Sequence, residues 1–205
     1  MKHKKLLGLA LIASLCGTGY LACSSVDASP VAQLMADGAA IDSNVPYPDT
    51  LIYHKIYAEI LDKQKDADKA SEITGYIYNA SKLTNVSPAL IAAIMETESG
   101  FEDRGTSPEG NVGLMNLIPS MVPEANLNIE KPSDNVLAGA MVLQNFIRLY
   151  GDIDNQEEIQ NRAIAGFYGG NAMASNYTVM KSKLPDGLSQ YVDAVNQHLR
   201  NLEAK

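Results

Sequence analysis

The sequence has no tryptophan and only three phenylalanines; ten tyrosines supply most of its aromatic content. Cysteine occurs twice, at Cys16 and Cys23, both near the N-terminus. The body of the chain therefore offers no disulfide and no thiol metal site. HExxH, CxxC and acidic calcium-loop patterns are missing too, so metal chemistry is unsupported and no cofactor is expected. No phosphate-cradling glycine loop precedes a helix; "YGGNA" at 168–172 is too short and follows one. Lysine and arginine number 16 against 24 acids, a formal charge of −8. Such a chain is a poor candidate for binding nucleic acid through its phosphates. It also lacks the basic patch that anionic lipid attracts. His54 and His198 stand alone and read as surface or core histidines. Apolar alternation with period two does not stand out, and no repeat is visible.

What is present begins with a leader. In "MKHKKLLGLALIASLCGTGYLACSS", Lys2, Lys4 and Lys5 form a basic start and Leu6 to Leu15 a short apolar stretch. The stretch is too short to span a bilayer comfortably, which reads as a secretory signal over residues 1–22. "YLACSS" resembles a bacterial lipobox, with Tyr20 where an aliphatic residue is usual. The resemblance implies lipidation at Cys23; cleavage after Ala28 is the alternative. Losing residues 1–22 removes three lysines and no acids and takes the formal charge to −11. Residues 24–47 are small and polar with Pro, Gly and Asp, and read as a tether.

The remainder reads as helices. Leu51, Ile52, Ile56, Ile60 and Leu61 recur at helical spacing within 49–66, an N-terminal helical extension. A second helix covers Ala67 to Leu83, opening the main domain (67–205). Ser87-Pro88 marks a helix start, Ser as N-cap and Pro in the first position. Gly100 is the matching stop. Residues 102–120 are turn-rich. Ser133 is positioned to cap a helix running to Gly151. Another starts near Asn155 and reaches Gly169-Gly170. Ser189 is positioned to cap the last, with Val192, Val195, Leu199 and Leu202 on its face. The expected architecture is all-α, six or seven helices around one core.

One charge is out of place. At about 100° per residue, Ile94, Met95 and Glu98 all fall within roughly 60° of Ile91. Glu98 thus sits in the middle of an apolar stripe, whereas Glu96 points away and reads as a solvated charge. Burial and the negative end of the helix dipole both favour the protonated form of Glu98. A carboxylic acid kept neutral near pH 7 can protonate a leaving oxygen. The alternative is structural: a glutamate that pairs with a buried arginine, or that reaches solvent past the helix end.

The residues around Glu98 resemble a known family. "ESGF" at 98–101 and "SPEGNVGLMNLIPS" at 107–120 resemble the signature of soluble lytic transglycosylases, which have the fold of goose-type lysozymes. "KPSDNVLAGAMVLQ" (131–144) resembles the family's Asn-x-x-x-Gly segment. "AIAGFYGGNA" (163–172) resembles its aromatic-Asn-Ala-Gly motif, and "QYVDAV" (190–195) its closing Tyr-Val segment. The resemblance implies cleavage of the MurNAc–GlcNAc bond of peptidoglycan, with Glu98 as the single acid and base and a 1,6-anhydro product. It implies substrate-binding roles for Ser107, Gly113, Met115, Asn116, Phe167, Tyr168, Asn171 and Tyr191. Ser107 reads equally as plain turn chemistry, Gly113 as a turn glycine, Met115 as core and Asn171 as a helix cap. Asn116 stands where the family has Gln, Phe167 where it has Tyr, and Tyr168 where it has Asn. The expected partners are glycan strands and envelope machinery, met by a monomer anchored to the membrane only through Cys23. The rival readings are a lysozyme-like hydrolase and a non-catalytic glycan-binding or scaffolding protein of the cell envelope.

Overall fold

A computed structural model describes residues 51–123, 125–177 and 185–204. The leader, Cys23 and the tether lie outside the described residues. Among the described residues six α-helices follow one another: α1 (Leu51–Gln64), α2 (Ala67–Thr84), α3 (Pro88–Ser99), α4 (Pro132–Leu149), α5 (Gln156–Asn176) and α6 (Asp186–Glu203). A 3-10 turn, Pro119–Met121, lies between α3 and α4. Extended pairing among the described residues is limited to two isolated bridges, Thr106 with Val112 and Val112 with Leu117. The all-α architecture expected from the periodicities is the one observed.

Helix α3 is the axis of the core. The Ser87 hydroxyl accepts from the Leu90 N–H, Pro88 occupies the first turn, and Gly100 ends the helix at φ 64°. Nine of its twelve residues are buried, among them Leu90, Ile91, Ile94 and Met95. Each apolar side chain of that size contributes about 1.5–3 kcal/mol when fully buried. The helix packs against α1, α2, α4 and α6. Coverage on so many sides is why α3 carries no solvated face, as expected for a helix apolar nearly all round.

The Asn-x-x-x-Gly spacing of α4 has a direct structural meaning. Residues i and i+4 share a helix face. Asn135, fully buried, accepts from the Met115 N–H at 2.8 Å and donates to the carbonyls of Val112 at 2.8 Å and Ile129 at 2.9 Å. Gly139, one turn on, leaves room for the Met115 side chain; a Cβ there would lie 2.8 Å from Met115 Cε. One face of α4 thereby anchors the 112–116 loop to the core.

Several boundaries differ from expectation. Ser133 does not cap α4: the N-cap is Lys131, Pro132 takes the first turn, and the Ser133 hydroxyl bonds Asp134. Ser189 lies inside α6, which starts after Pro185 and bonds the Ser189 N–H to the Pro185 carbonyl. Proline supplies the stop and start that a serine was expected to give. Gly169 and Gly170 break α5 as anticipated, with φ −149° and 73°, but helix resumes beyond them to Asn176.

Candidate active site

Glu98 leaves the last turn of α3 and enters a cleft of about 240 Å3. The 111–118 loop supplies Asn111, Asn116, Leu117 and Ile118 to one side, with Met121 from the 3-10 turn. Phe167 and Tyr168 of α5 and Tyr191 of α6 form the other. Thr97 and Val142 complete the lining. The cleft is mostly apolar, and Glu98 is its sole carboxylate among the described residues.

Both carboxylate oxygens of Glu98 have a donor. Tyr191 Oη donates to Oε1 at 2.5 Å, and Asn116 Nδ2 donates to Oε2 at 2.9 Å. Burial pushes the Glu98 pKa up from the ordinary carboxylate value, and the Tyr191 and Asn116 bonds pull part of the way back. The Tyr191 phenol is raised well above its usual value, first by burial and then by the Glu98 charge, so it remains a donor. Its ring packs against Tyr168, centroids 4.9 Å apart and tilted 46°. Tyr168 itself is 41% exposed and Phe167 is buried. Asn116 has φ 47°, a left-handed conformation that asparagine adopts more readily than most residues.

The residues singled out from sequence thus separate into two groups. Glu98, Asn116, Phe167, Tyr168 and Tyr191 meet in the cleft. Ser107, Gly113, Met115 and Asn171 do not line it. The Ser107 hydroxyl accepts from the Asn111 N–H at 3.2 Å and its backbone pairs with Asn111 and Gly110, which is turn chemistry. Gly113, at φ 72°, faces the Asn135 amide rather than open cleft. Met115 is fully buried against Gly139. Asn171 is exposed, and its carbonyl accepts from the Ser175 hydroxyl.

Glu96 requires a correction. Instead of facing solvent it is 8% exposed and paired with Lys63 at 3.0 Å and with His198 at 2.8 Å. Helical period places Glu96 on the far side of α3 from the cleft, but that side does not meet water, because α1 and α6 cover it. His198, read as isolated, is the partner that α6 brings. Asn111, Ile118 and Met121 were not singled out, although Ile118 and Met121 flank the Pro119 turn that a close reading of "NLIPSM" contains. Nothing in sequence marks Val142 as a lining residue rather than ordinary core.

A helical core whose central helix delivers one carboxylate to a cleft is the lysozyme-like arrangement. The chain belongs to the transglycosylase SLT domain family, whose model matches residues 75–185, more than half of its length. It is also similar to a protein named transglycosylase from Enterobacteria phage PRD1, at 33% identity over 97 residues. That similarity takes in 47% of this chain and 34% of the phage protein, so the chain matches about a third of its relative.

Proposed function

We propose that the protein is a peptidoglycan lytic transglycosylase in which Glu98 performs both proton transfers. The observation that carries this reading is a half-buried carboxylate with a raised pKa, held by two donors in a cleft that no second carboxylate lines among the described residues. The protonated Glu98 gives its proton to the glycosidic oxygen between MurNAc and GlcNAc, and the GlcNAc side leaves as an alcohol. The carboxylate so formed takes the proton of the 6-hydroxyl on the same MurNAc. That oxygen bonds C1, closing a 1,6-anhydro ring, and Glu98 ends protonated as it began. No water is consumed.

Two-carboxylate glycosidases place the second group about 5–9.5 Å from the first. Glu96, the nearest acid in sequence, is tied to Lys63 and His198, and Glu102 and Asp103, the next two, are exposed and engaged elsewhere. Glu102 pairs with Arg104 at 2.9 Å, and Asp103 accepts from the Gly105 N–H. In this reading Tyr191 and Asn116 orient Glu98 and stabilise its ionised form between the two transfers. Tyr168 and Ile118 offer apolar surface to the sugar rings. The substrate places the protein in the cell envelope, and the N-terminal leader with Cys23 supplies export and a lipid anchor.

Digestion of purified peptidoglycan by the wild type and by Glu98→Gln, with mass spectrometry of the products, tests the reading. Anhydro-MurNAc ends from the wild type alone are expected. Reducing MurNAc ends would make the protein a hydrolase, and no product from folded protein would make it a binding or scaffolding protein.

A further inference from the structure

Two residues before Glu98, Glu96 is held as firmly as the cleft carboxylate is, but by a different set of groups. Lys63 Nζ, from α1, lies 3.0 Å from Oε1, and His198 Nδ1, from α6, lies 2.8 Å from Oε2. Since a carboxylate can only accept when ionised, Nδ1 is the protonated nitrogen of this imidazole. Glu59, one turn before Lys63 on α1, also reaches the cluster. Burial, and then the Glu96 charge, raise its pKa. The Lys63 ammonium is likewise raised, by its bond to Glu96.

The cluster joins three helices, and its geometry bears on the cleft. Tyr191 and His198 are seven residues apart on α6, two turns, and so lie on the same side of it. One bonds Glu98 and the other bonds Glu96. Helix α6 is therefore fixed to α3 at two points along one face. Helix α1 reinforces both partners. Gln64 Nε2 donates to the Gly100 carbonyl at 3.1 Å, where α3 ends. Lys55 Nζ donates to the Leu202 carbonyl at 3.2 Å and to that of Ala204, where α6 ends. Both α1 and α6 lie outside the 75–185 segment that defines family membership.

We propose that the Lys63–Glu96–His198 bridge is a positioning device that clamps α6 onto α3 so that Tyr191 is held on Glu98, making α1 a part of the active-site scaffold and not a spacer. The proposal rests on the reading of Glu98 as the acid and base. A buried ion pair is weak support for stability, since apolar side chains of similar volume often do as well. What it supplies here is direction: two donors on two helices aimed at one carboxylate.

The test is a direct titration of the Glu98 carboxyl by 13C NMR, its signal assigned by its loss in Glu98→Gln. The proteins compared are the wild type, Tyr191→Phe, Glu96→Ala and the double variant. Removing the Tyr191 donor raises the Glu98 midpoint. Glu96→Ala is expected to raise it too, because a loosened α6 weakens the same bond. A direct charge effect has the opposite sign, since losing a neighbouring negative charge lowers a carboxyl pKa. In the double variant the midpoint is expected to match that of Tyr191→Phe alone, because the two changes act on one bond. With peptidoglycan, Glu96→Ala is expected to lower kcat about tenfold with KM little changed, the size of losing one hydrogen bond to a charged group.

A midpoint that falls or stays in folded Glu96→Ala, or a shift that adds in full to that of Tyr191→Phe, overturns the proposal. His198→Ala is the second variant should Glu96→Ala not fold, and the same cycle decides it: its shift must vanish in the Tyr191→Phe background, where a direct charge effect would persist. The titration reads Glu98 whether or not the protein cleaves glycan, so failure of the clamp is distinguishable from failure of the proposed activity.

Discussion

Tyr191 and Glu98, 93 residues apart in the chain, are joined by a hydrogen bond of 2.5 Å from phenol to carboxylate. Burial raises the Glu98 pKa and this bond lowers it. The two influences serve opposite halves of one proton cycle: the first keeps an acid available, the second steadies the base. Tyr191→Phe removes the second alone. The basic limb of the pH–rate profile, where Glu98 loses its proton, is expected to move to higher pH. The rate at the optimum is expected to fall about tenfold, the effect of one charge-assisted hydrogen bond. Initial rates on soluble glycan strands across pH check both; an unmoved limb would detach Tyr191 from the acid.

Glu98→Gln reports on the strain stored in the same group. A carboxyl whose folded pKa lies above its unfolded one binds more protons when folded. Its contribution to stability is therefore fully present below the ordinary carboxylate range and is lost as pH rises through the raised value. Glutamine keeps the shape and stays neutral. The variant is expected to match wild-type Tm near pH 4 and to exceed it near pH 7.5, with about 2–4 °C for each kcal/mol in a chain of this size. Activity is expected to fall at least about a hundredfold, the usual scale of general acid–base catalysis. Thermal unfolding at the two pH values checks the sign, and a gap that widens toward acid would contradict it.

Asn135 is a structural dependence outside the cleft. Its amide serves three backbone groups: the Met115 N–H and the carbonyls of Val112 and Ile129. The Val112 carbonyl has a second partner in the Leu117 N–H, so truncation leaves chiefly Met115 and Ile129 stranded. Asn135→Ala is expected to lose about 2–4 kcal/mol, one or two buried groups left unsatisfied. Activity is expected to drop as well, because Asn116 sits in the loop that Asn135 anchors. Asn135→Asp is expected to do no better, since a carboxylate would face two carbonyls. Urea denaturation with parallel rate measurements separates the two effects.

How much of this was legible in sequence depended on the kind of information each residue needed. Ser87, Pro88 and Gly100 set the limits of α3 through local backbone chemistry, and those limits are where they were expected. Helical period gave the azimuths of Glu96 and Glu98. It could not say how many sides of α3 the rest of the chain covers, so Glu96 was misplaced in water. Ser133 and Ser189 are good caps in isolation, but neighbouring prolines set the starts of α4 and α6. In the loop, Gly113, Met115 and Asn116 are near neighbours in the chain with three separate fates: against an amide, in the core and on Glu98. That division follows from where α4 places Asn135 and Gly139, which no local pattern encodes.

Gly113 offers the sharpest check on that anchoring. Its φ of 72° disfavours any side chain, and a Cβ would lie 2.5 Å from the Asn135 amide nitrogen. Asn135 cannot retreat without giving up its backbone bonds. Gly113→Ala therefore carries a backbone penalty of about 1 kcal/mol and an overpacking penalty of about 1–3 kcal/mol. Gly110 supplies the control. Its φ is 89° and no atom lies within 4 Å of the position a Cβ would take, so Gly110→Ala carries the backbone penalty alone. The midpoint of urea unfolding is expected to fall markedly further for Gly113→Ala than for Gly110→Ala. Equal losses would mean that Asn135 yields, and that the loop bearing Asn116 is held less rigidly than its hydrogen bonds imply.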